Sequence, residues 1–512
     1  MMSHLPVMPV LVPLVTGAVL LLLERRHRIS IQRFWAWIGM AALLVVSVML
    51  FLQVQREDML VYLLGDWPAK LGITLMVDRL SALMVLTTTL LAIPCLLYAS
   101  AGWDKRALHF HALFQMQLAG LNGAFLTGDL FNLFVFFEVM LIASYGLLLS
   151  GARGARIKAG MHYVVFNIAA SVVFLMALGL LYGMLGTLNM TEMAARIAVA
   201  PPERTLLIHA GAGLLLLVFC AKAALLPLYL WLPEAYARAP AAVAALFTVM
   251  TKVGLYAILR VYTLMFGDTA GPMANFAWDW LLPAGAATIV LAALGVIGAP
   301  RLRIGVAYLV LLSAGTLFVA FSLTNAGAIS AGLYYLAHSV FVSAALFLLA
   351  DIIQRHRGNN GDYLMPIAAM PNKTLPAALF LIAAVSIAGL PPLSGFIGKL
   401  QLLNSVPESQ TAWIWAVILG SSLMTIIGLS RSGTRLFWRI EPAPSDAAVQ
   451  SPPLRRSEIG ATVLLLAYGV AMTVFASPVL RYTDATAAQL LDVETYIQTL
   501  RDTAPQIREP SP

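Results

Sequence analysis

Five ionisable side chains lie near the middle of long apolar segments of the sequence. They are Glu138, Lys222, Lys252, His338 and Lys399. A charge at the centre of a bilayer costs at least about 2.5–3.5 kcal/mol on insertion scales, so such residues indicate function in a membrane protein. Each group can bind and release a proton when its surroundings change, and together they predict a proton path in the membrane plane. The alternative for each is structural: a protonated carboxyl, an ion pair, a tertiary hydrogen bond or a snorkelling lysine.

Further polar residues accompany two of these groups at helical spacing. Thr248, Lys252 and Tyr256 recur every four residues and therefore share one helix face. A polar stripe on an otherwise apolar helix is expected to face protein or water rather than lipid. Tyr334 stands one turn before His338 on the same face. We expect both sets of residues to line the predicted path.

Proline interrupts two of the apolar segments beside a lysine. Pro227 follows Lys222 by five residues, and Pro391 and Pro392 precede Lys399. Proline lacks a backbone donor and disturbs a helix. Discontinuous membrane helices expose backbone groups beside polar side chains. The sequence therefore predicts two broken helices next to these lysines.

Motifs for other kinds of chemistry are missing from the sequence. It contains no CxxC pair, no GxxxxGK[ST] phosphate-binding loop and no GxGxxG dinucleotide motif. The two cysteines, Cys95 and Cys220, both lie in apolar segments and indicate neither a disulfide framework nor a metal site. We predict no cofactor and no metal ion, so that energy comes from an ion gradient or from a partner.

The composition indicates an integral membrane protein. Of the 512 residues, 60% are hydrophobic and 11% are charged, whereas about a quarter are charged in soluble domains. This excludes a soluble enzyme, a disordered protein and a nucleic-acid binder. Fourteen apolar segments, each about 20 residues long, predict an all-α polytopic fold, because lipid cannot satisfy exposed backbone groups. Their approximate limits are 5–24, 34–54, 79–99, 109–128, 130–150, 161–187, 206–231, 240–264, 275–298, 304–324, 328–353, 374–403, 412–434 and 457–478.

Basic residues predict the orientation of these segments. Of the 32 lysines and arginines, 20 fall in alternate loops that start after the first segment, and 8 fall on the opposite side. Because cytoplasmic loops carry the excess of positive charge, we predict that both termini lie outside. Residues 1–480 would form the transmembrane domain and residues 481–512 an extracytoplasmic tail.

Three further features lie at the edges of the predicted spans. The loop at 440–456 is rich in proline and is expected to be irregular. Arg260 stands at the end of its segment and is interpreted as an interface anchor. The tail is predicted to form a short amphipathic surface helix over 484–501. Its apolar residues at helical spacing are Leu490, Val493, Ile497 and Leu500.

Three stretches carry a resemblance to a known family. They are KAALLPLYLWLPEAYARAPAAVAALFTVMTKVGLYAILR at 222–260, FEVMLIASYGLLL at 137–149 and GLPPLSGFIGK at 389–399. Over nearly the whole chain the sequence resembles the proton-translocating antiporter-like family. That family includes the large subunits of Mrp-type (also Pha or Mnh) cation/proton antiporters, three subunits of complex I and relatives in membrane-bound hydrogenases.

The resemblance implies a fold and a set of partners. It implies fourteen helices, in which helices 4–8 (109–264) and 9–13 (275–438) form two inverted repeats, each with one broken helix. The segments at 430–439 and 489–500 resemble the D-type subunits of the Mrp-type antiporters. Such a chain would lie in the bacterial cytoplasmic (inner) membrane with subunits of the A, B, C, E, F and G types, and its complex would exchange protons for sodium or potassium ions.

The resemblance also implies roles for the five ionisable groups. Glu138 and Lys222 would form the Glu–Lys pair of the first half-channel. Lys252 and His338 would make the central connection, and Lys399 would lead to the second half-channel.

One position departs from the family pattern. Several members have a lysine shortly after the histidine of helix 11, where this chain offers Ser343 after His338. Water or this serine would have to bridge the centre.

Three functions are consistent with these residues. The leading hypothesis is a proton-translocating subunit of a multisubunit antiporter. The second is a pumping subunit of a quinone oxidoreductase or hydrogenase, whose intramembrane chemistry would be nearly the same. The third is a non-conducting scaffold, which has no need of five buried ionisable groups.

Overall fold

The computed structural model of the protein describes residues 2–24, 28–67, 72–151, 154–358, 361–365, 373–439 and 454–503. Over these ranges the chain is almost entirely α-helical, with a short antiparallel pair of strands, β1 (Leu60–Leu63) and β2 (Thr74–Val77), which the hydropathy pattern does not predict. The helices are α1 (Met8–Glu24), α2 (Ile29–Glu57), α3 (Arg79–Ser100), α4 (Phe110–Leu126), α5 (Leu130–Leu149), α6 (Ala155–Leu185), α7 (Met190–Ala198), α8 (Pro202–Ala223), α9 (Trp231–Arg238), α10 (Ala241–Phe247), α11 (Met250–Leu264), α12 (Trp278–Gly298), α13 (Leu302–Ser322), α14 (Ala326–His356), α15 (Thr374–Ala388), α16 (Ser394–Asn404), α17 (Glu408–Gly433), α18 (Arg456–Val474), α19 (Ala476–Leu491) and α20 (Val493–Asp502).

Each of the fourteen predicted apolar segments falls on a helix or on a pair of helices. Among the described residues, 12 helical stretches are long and apolar enough to cross a membrane. The other two segments, 109–128 and 374–403, correspond to the shorter helix α4 and to the pair α15 and α16. The prediction of an all-helical polytopic membrane protein is confirmed. The division into two inverted repeats stays a prediction.

The seventh segment is interrupted just after Lys222. Helix α8 ends one residue later, and Ala224 has a left-handed backbone with φ of 61°. Pro227 lies in the stretch that follows, before α9 begins at Trp231. The indole Nε1 of Trp231 donates a hydrogen bond of 3.1 Å to the carbonyl oxygen of Ala221, in the last turn of α8. The break that the proline predicts is therefore present, and the indole holds its two sides together.

The twelfth segment is interrupted between α15 and α16. Gly389 ends α15 with φ of 81°, a left-handed conformation that glycine adopts without strain. Pro391 and Pro392 lie between the two helices, and α16 begins at Ser394. The second predicted break is present as well.

The eighth segment contains a helix distortion that the sequence does not predict. The backbone N–H groups of Thr248 and Val249 bond to Ala245 and Leu246, three residues back rather than four. This tightened turn separates α10 from α11. It lies one turn before Lys252, although the segment has no proline or glycine at that point.

The helices that carry Lys252 and His338 occupy the centre of the protein. The stretch α10–α11 is buried along its whole apolar length, and α14 is nearly so. Helices α1, α2, α6 and α17 bury only one side, as expected for helices that face lipid. The central helices are thus enclosed by protein.

A buried ion pair joins α2 to the turn between α3 and α4. Arg33 donates hydrogen bonds to both carboxylate oxygens of Asp104, at 2.7 and 2.8 Å, and His111 Nε2 lies 3.1 Å from Oδ2. Burial raises the pKa of Asp104, but these two neighbours outweigh it and lower the pKa to about 2. The carboxylate is therefore charged at physiological pH and holds the first two helices to the rest.

The C-terminal tail folds back onto the transmembrane helices. Helix α18 ends at Val474, short of the predicted limit at 478, and α19 begins two residues later. The predicted helix over 484–501 is divided at Asp492, between α19 and α20. Helix α19 packs against α14 and α3, so it does not lie free on the membrane surface. The residues predicted to form the apolar side, all buried here, are Leu490, Val493, Ile497 and Leu500.

Two predicted features lie partly outside the described residues. Residues 440–453 of the proline-rich loop and residues 504–512 of the tail belong to this part of the chain.

Candidate functional site

Glu138 lies in the middle of α5, half-buried at the contact between α5 and α6. The hydroxyl group of Ser171, in α6, donates a hydrogen bond to Glu138 Oε1. The carboxylate therefore has a neutral partner, which the sequence pattern does not indicate.

Lys222 lies in the last turn of α8, directly before the break, and is 5% exposed. Its Nζ has no hydrogen-bond partner among the described residues, and it lies 5.3 Å from the centroid of the Phe137 ring. Glu138 follows Phe137 directly in α5, and no ion pair joins it to Lys222 among the described residues. The structure thus places Lys222 against α5 beside Glu138, without a salt bridge.

Lys252 lies in the first turn of α11, fully buried. Its Nζ donates a hydrogen bond of 2.6 Å to the hydroxyl oxygen of Ser313 in α13. Ser313 donates in turn to the carbonyl oxygen of Val310, at 2.7 Å. In the described part of the chain, Lys252 thus makes its ordered polar contact with a neutral group.

The polar side chains that form the stripe on α10 and α11 all contact protein, as their spacing predicts. Thr248 donates to the carbonyl oxygens of Ala245 and, across the interface, of Val340 in α14, at 2.7 and 3.3 Å. Tyr256 donates to the carbonyl oxygen of Phe125 in α4, at 2.6 Å. The stripe therefore bonds the central helix to α4 and α14.

His338 connects α14 to the second break. Its Nδ1 lies 2.8 Å from the hydroxyl oxygen of Ser394, the first residue of α16. Its Nε2 has no hydrogen-bond partner among the described residues. Gly395 approaches so closely that a Cβ there would clash with the carbonyl oxygen of Ser386 and lie 2.8 Å from His338 Nε2. Glycine at this position therefore allows the break to contact the histidine.

Tyr334, which the spacing places on the path with His338, faces another helix. Its hydroxyl group donates to the carbonyl oxygen of Met472 in α18, at 2.9 Å. The ring beside the histidine is that of Tyr335, with the two centroids 5.6 Å apart.

Lys399, in α16, bonds across the second break to the end of α15. Its Nζ donates hydrogen bonds of 2.9 Å to the carbonyl oxygen of Ala388, the last residue of α15, and to the hydroxyl oxygen of Ser422 in α17. The break leaves that carbonyl without a helical partner, and the lysine satisfies it.

The remaining predicted residues line the site less directly. Ser343 is fully buried in α14, and its hydroxyl group has no partner among the described residues. Pro227, Pro391 and Pro392 lie exposed at the breaks. Their contribution is to the backbone rather than to polar contacts.

Neutral partners give these lysines a specific chemical property. A hydroxyl or carbonyl oxygen accepts a hydrogen bond from an ammonium group and also from a neutral amine. The contacts of Lys252 and Lys399 can therefore persist whether the lysine is protonated or not. The arrangement allows a change of charge without a rearrangement of the helices.

The interpretation of Arg260 as an interface anchor is wrong. This residue is 4% exposed, and its Nη2 lies 2.5 Å from Oδ2 of Asp78, the N-cap residue of α3. The rings of Tyr256 and Tyr496 lie 5.7 and 5.1 Å from the guanidinium carbon. The folded-back tail covers a helix end that hydropathy alone places at the interface.

The chain is similar to proteins of one family. Residues 127–425 match the family described as NADH:quinone oxidoreductase/Mrp antiporter, transmembrane. A probable K+/H+ antiporter D-type subunit of Rhizobium meliloti (strain 1021) is 39% identical, with 96% of each chain covered. A Na+/H+ antiporter D-type subunit of Alkalihalophilus pseudofirmus is 34% identical, with 98% of this chain and 99% of the relative covered.

A solved structure resembles the fold over almost the whole chain. A chain in the structure of the Mrp complex from Dietzia sp. DQ12-45-1b has a TM-score of 0.87 and 28% identity, with 97% of this chain and 99% of that chain covered. The resemblance that the sequence motifs carry is confirmed at the level of sequence and of fold.

The buried pair of Asp78 and Arg260 predicts a large effect on stability. We expect Asp78→Asn to destabilise the protein by about 3–5 kcal/mol, because Arg260 would stay buried without a counter-charge. Asparagine can still cap α3, so the loss of charge is isolated from the loss of the cap. Thermal denaturation of the detergent-solubilised protein measures the effect. The double variant Asp78→Asn/Arg260→Met should recover much of the loss, and an unchanged midpoint in the single variant would contradict this.

Proposed function

Because the chain belongs to the NADH:quinone oxidoreductase/Mrp antiporter family of membrane proteins, we propose that it is the proton-translocating subunit of a multisubunit antiporter. The complex exchanges protons for sodium or potassium ions. The observation that carries the proposal is the burial of the side chains of Lys222, Lys252 and Lys399, two of them at helix breaks. In the described part of the chain, none of the three forms an ion pair.

The proton path begins at Glu138 and Lys222 and reaches Lys252 through a tight helix contact. Gly254 approaches α8 so closely that a Cβ there would lie 2.8 Å from the backbone nitrogen of Ala223. The helix of Lys252 thus packs directly on the residue after Lys222. A proton that leaves Lys222 passes to Lys252 across this helix contact, by way of water or a rearrangement of the lysine side chains.

The second half of the path runs from Lys252 through His338 to Lys399. The hydrogen bond from Thr248 to Val340 ties the tightened turn before Lys252 to α14, two residues beyond the histidine. Ser394 then links the histidine to α16, the helix of Lys399. Ser343, where several relatives have lysine, offers a buried hydroxyl group that can hold a bridging water molecule.

The mechanism requires the affinities of neighbouring groups for the proton to change in turn. A shift of Glu138 relative to Lys222 alters the affinity of Lys222 for its proton, since a nearby carboxylate favours the charged lysine. Release from Lys222 then removes a positive charge from the neighbourhood of Lys252. The hydroxyl and carbonyl partners of Lys252 and Lys399 keep these side chains in place during the exchange.

We propose further features from the family resemblance and from the loop charges. The chain assembles with subunits of the A, B, C, E, F and G types in a bacterial cytoplasmic membrane, and both termini lie outside.

Residues 109–264 and 275–438 form two inverted repeats. This is supported by the two breaks, each of which begins at a left-handed residue, Ala224 or Gly389. The relatives are named for different cations, potassium and sodium, so the cation is left to the experiment.

A second function within the same family is a proton pump driven by electron transfer. The family description includes NADH:quinone oxidoreductases, and the same buried groups would serve such a pump. Partner subunits with iron–sulfur cysteine motifs would distinguish it. A non-conducting scaffold is disfavoured, because buried lysines without counter-charges cost stability and give a scaffold nothing in return.

The function is tested by cation-induced collapse of a proton gradient. Everted vesicles are prepared from a host without its own antiporters that expresses this gene with its operon neighbours. We expect rapid fluorescence dequenching on addition of sodium or potassium, and no dequenching when this gene alone is deleted. No response from a fully assembled complex would contradict the antiporter proposal and favour the redox-driven pump.

Ser313 provides a finer prediction for the central step. Ser313→Ala should slow exchange about tenfold or more, because a hydrogen bond to a charged group contributes about 1.5–3 kcal/mol. The matched control is Ser322→Ala on the same helix, where the hydroxyl group donates to the carbonyl oxygen of Phe318. Initial dequenching rates, normalised to the amount of complex, measure both variants. Equal rates in the two variants would show that the contact with Lys252 is dispensable.

A further inference from the structure

A positively charged cavity opens among loops at the ends of the central helices. Its volume is about 420 Å³, and its wall contains two carboxylates, Asp351 and Glu458. We name it the arginine cavity after the arginines that line its described wall. These are Arg106, Arg156, Arg303, Arg355 and Arg455. They stand at helix ends and in connecting turns, on the side predicted to be cytoplasmic.

Only some of these arginines form ion pairs with the two carboxylates. Asp351 accepts hydrogen bonds from Arg303, Arg355 and the hydroxyl group of Tyr98. Glu458 accepts one from Arg355 at 2.7 Å, and its Oε1 lies 3.8 Å from Arg455 Nη1. The described wall therefore carries a net positive charge, with its carboxylates already paired.

Arg156 and Arg303 are the arginines with unused donor capacity deepest in the site. Arg156 makes no ion pair in the described part of the chain. Its Nε donates to the carbonyl oxygen of Arg238, and its guanidinium carbon lies 5.4 Å from the centroid of the Trp103 ring. Arg303 is 8% exposed, and its Nε has no hydrogen-bond partner among the described residues. The Nε1 atom of Trp103 is also buried without a hydrogen-bond partner among the described residues. Two buried donors on the wall of the cavity are therefore unsatisfied.

A second cavity lies behind the same two arginines. It has a volume of about 290 Å³, and Arg156 and Arg303 line both cavities. Arg238 and Arg301 add further positive charge there, against one carboxylate, Asp362. Partial burial lowers the pKa of Arg301, and repulsion from Arg238 lowers it further. Positive charge is thus concentrated on both sides of the shared wall.

We propose that the arginine cavity binds a phosphate-bearing anion. Guanidinium groups match phosphate oxygens with paired N–H donors, and the wall offers such donors with too few carboxylates to satisfy them. The excess of positive charge repels sodium, potassium and other cations, so the cavity does not serve as their route. The cavity is lined by ends of the enclosed helices α10, α13 and α14, which favours access from the aqueous side.

Equilibrium binding of radiolabelled inorganic phosphate to the purified complex tests the proposal. We expect saturable binding that weakens at least tenfold in Arg156→Gln. Arg106→Gln provides an independent variant, because this side chain is exposed and its loss threatens folding least. The matched control is Arg204→Gln, an exposed arginine at the start of α8 and away from both cavities, which should bind phosphate as the wild type does.

A second experiment, with phospholipid, distinguishes a lipid headgroup from free phosphate as the bound anion. The complex is purified from nanodiscs of phosphatidylglycerol or phosphatidylcholine, and native mass spectrometry counts the lipids that remain bound. Lipid retention that depends on Arg156, without binding of inorganic phosphate, would assign the site to a lipid headgroup. The proposal is overturned if neither ligand binds saturably, or if binding is the same in Arg156→Gln, Arg106→Gln and the control.

Discussion

A lysine side chain within a bilayer must find hydrogen-bond acceptors in the protein, and this requirement governs the centre of the molecule. Each backbone carbonyl within a helix already accepts one helical hydrogen bond, whereas the carbonyls at helix ends and breaks have no such partner. Lys399 uses the carbonyl oxygen of Ala388, which is free because α15 ends there. Lys252 uses the hydroxyl group of Ser313 on a neighbouring helix. Lys222 lies beside the other break and has no such acceptor among the described residues, and its ammonium group lies against the Phe137 ring instead.

The protein separates the charges that hold its fold together from those that can change. Arg33 with Asp104, and Arg260 with Asp78, are direct ion pairs that join helices far apart in the sequence. Arginine stays protonated at any relevant pH, so such pairs are permanent. Lys252 and Lys399, on the proposed path, have neutral partners instead. Either of these lysines can lose its proton without leaving a buried carboxylate unpaired, and the surrounding helices can keep their positions.

The sequence predicts the helices and the breaks well, because both depend on local chemistry. An apolar run must be helical in lipid, and a proline removes a backbone donor wherever it stands, as at Pro227. The partners of the buried groups depend instead on which helices pack together, and serine is too common in membrane helices to indicate a contact. The environment of Arg260 escapes prediction for the same reason, since Asp78 and Tyr496 are both distant in sequence. The tightened turn at Thr248 has no proline or glycine to predict it. The serine partners found only in the structure are Ser171, Ser313, Ser394 and Ser422.

The most direct test concerns Lys222, the lysine at the first break that has no hydrogen-bond partner among the described residues. Proton–cation exchange is measured in everted vesicles that contain the complex with Lys222→Ala, and the amount of assembled complex is determined in the same membranes. Lys105→Ala, in an exposed turn, is the matched control. We expect exchange to be abolished in Lys222→Ala while the complex assembles at the wild-type level, and the control to exchange normally. Full exchange in an assembled Lys222→Ala complex would contradict the proposal that protons pass through this group.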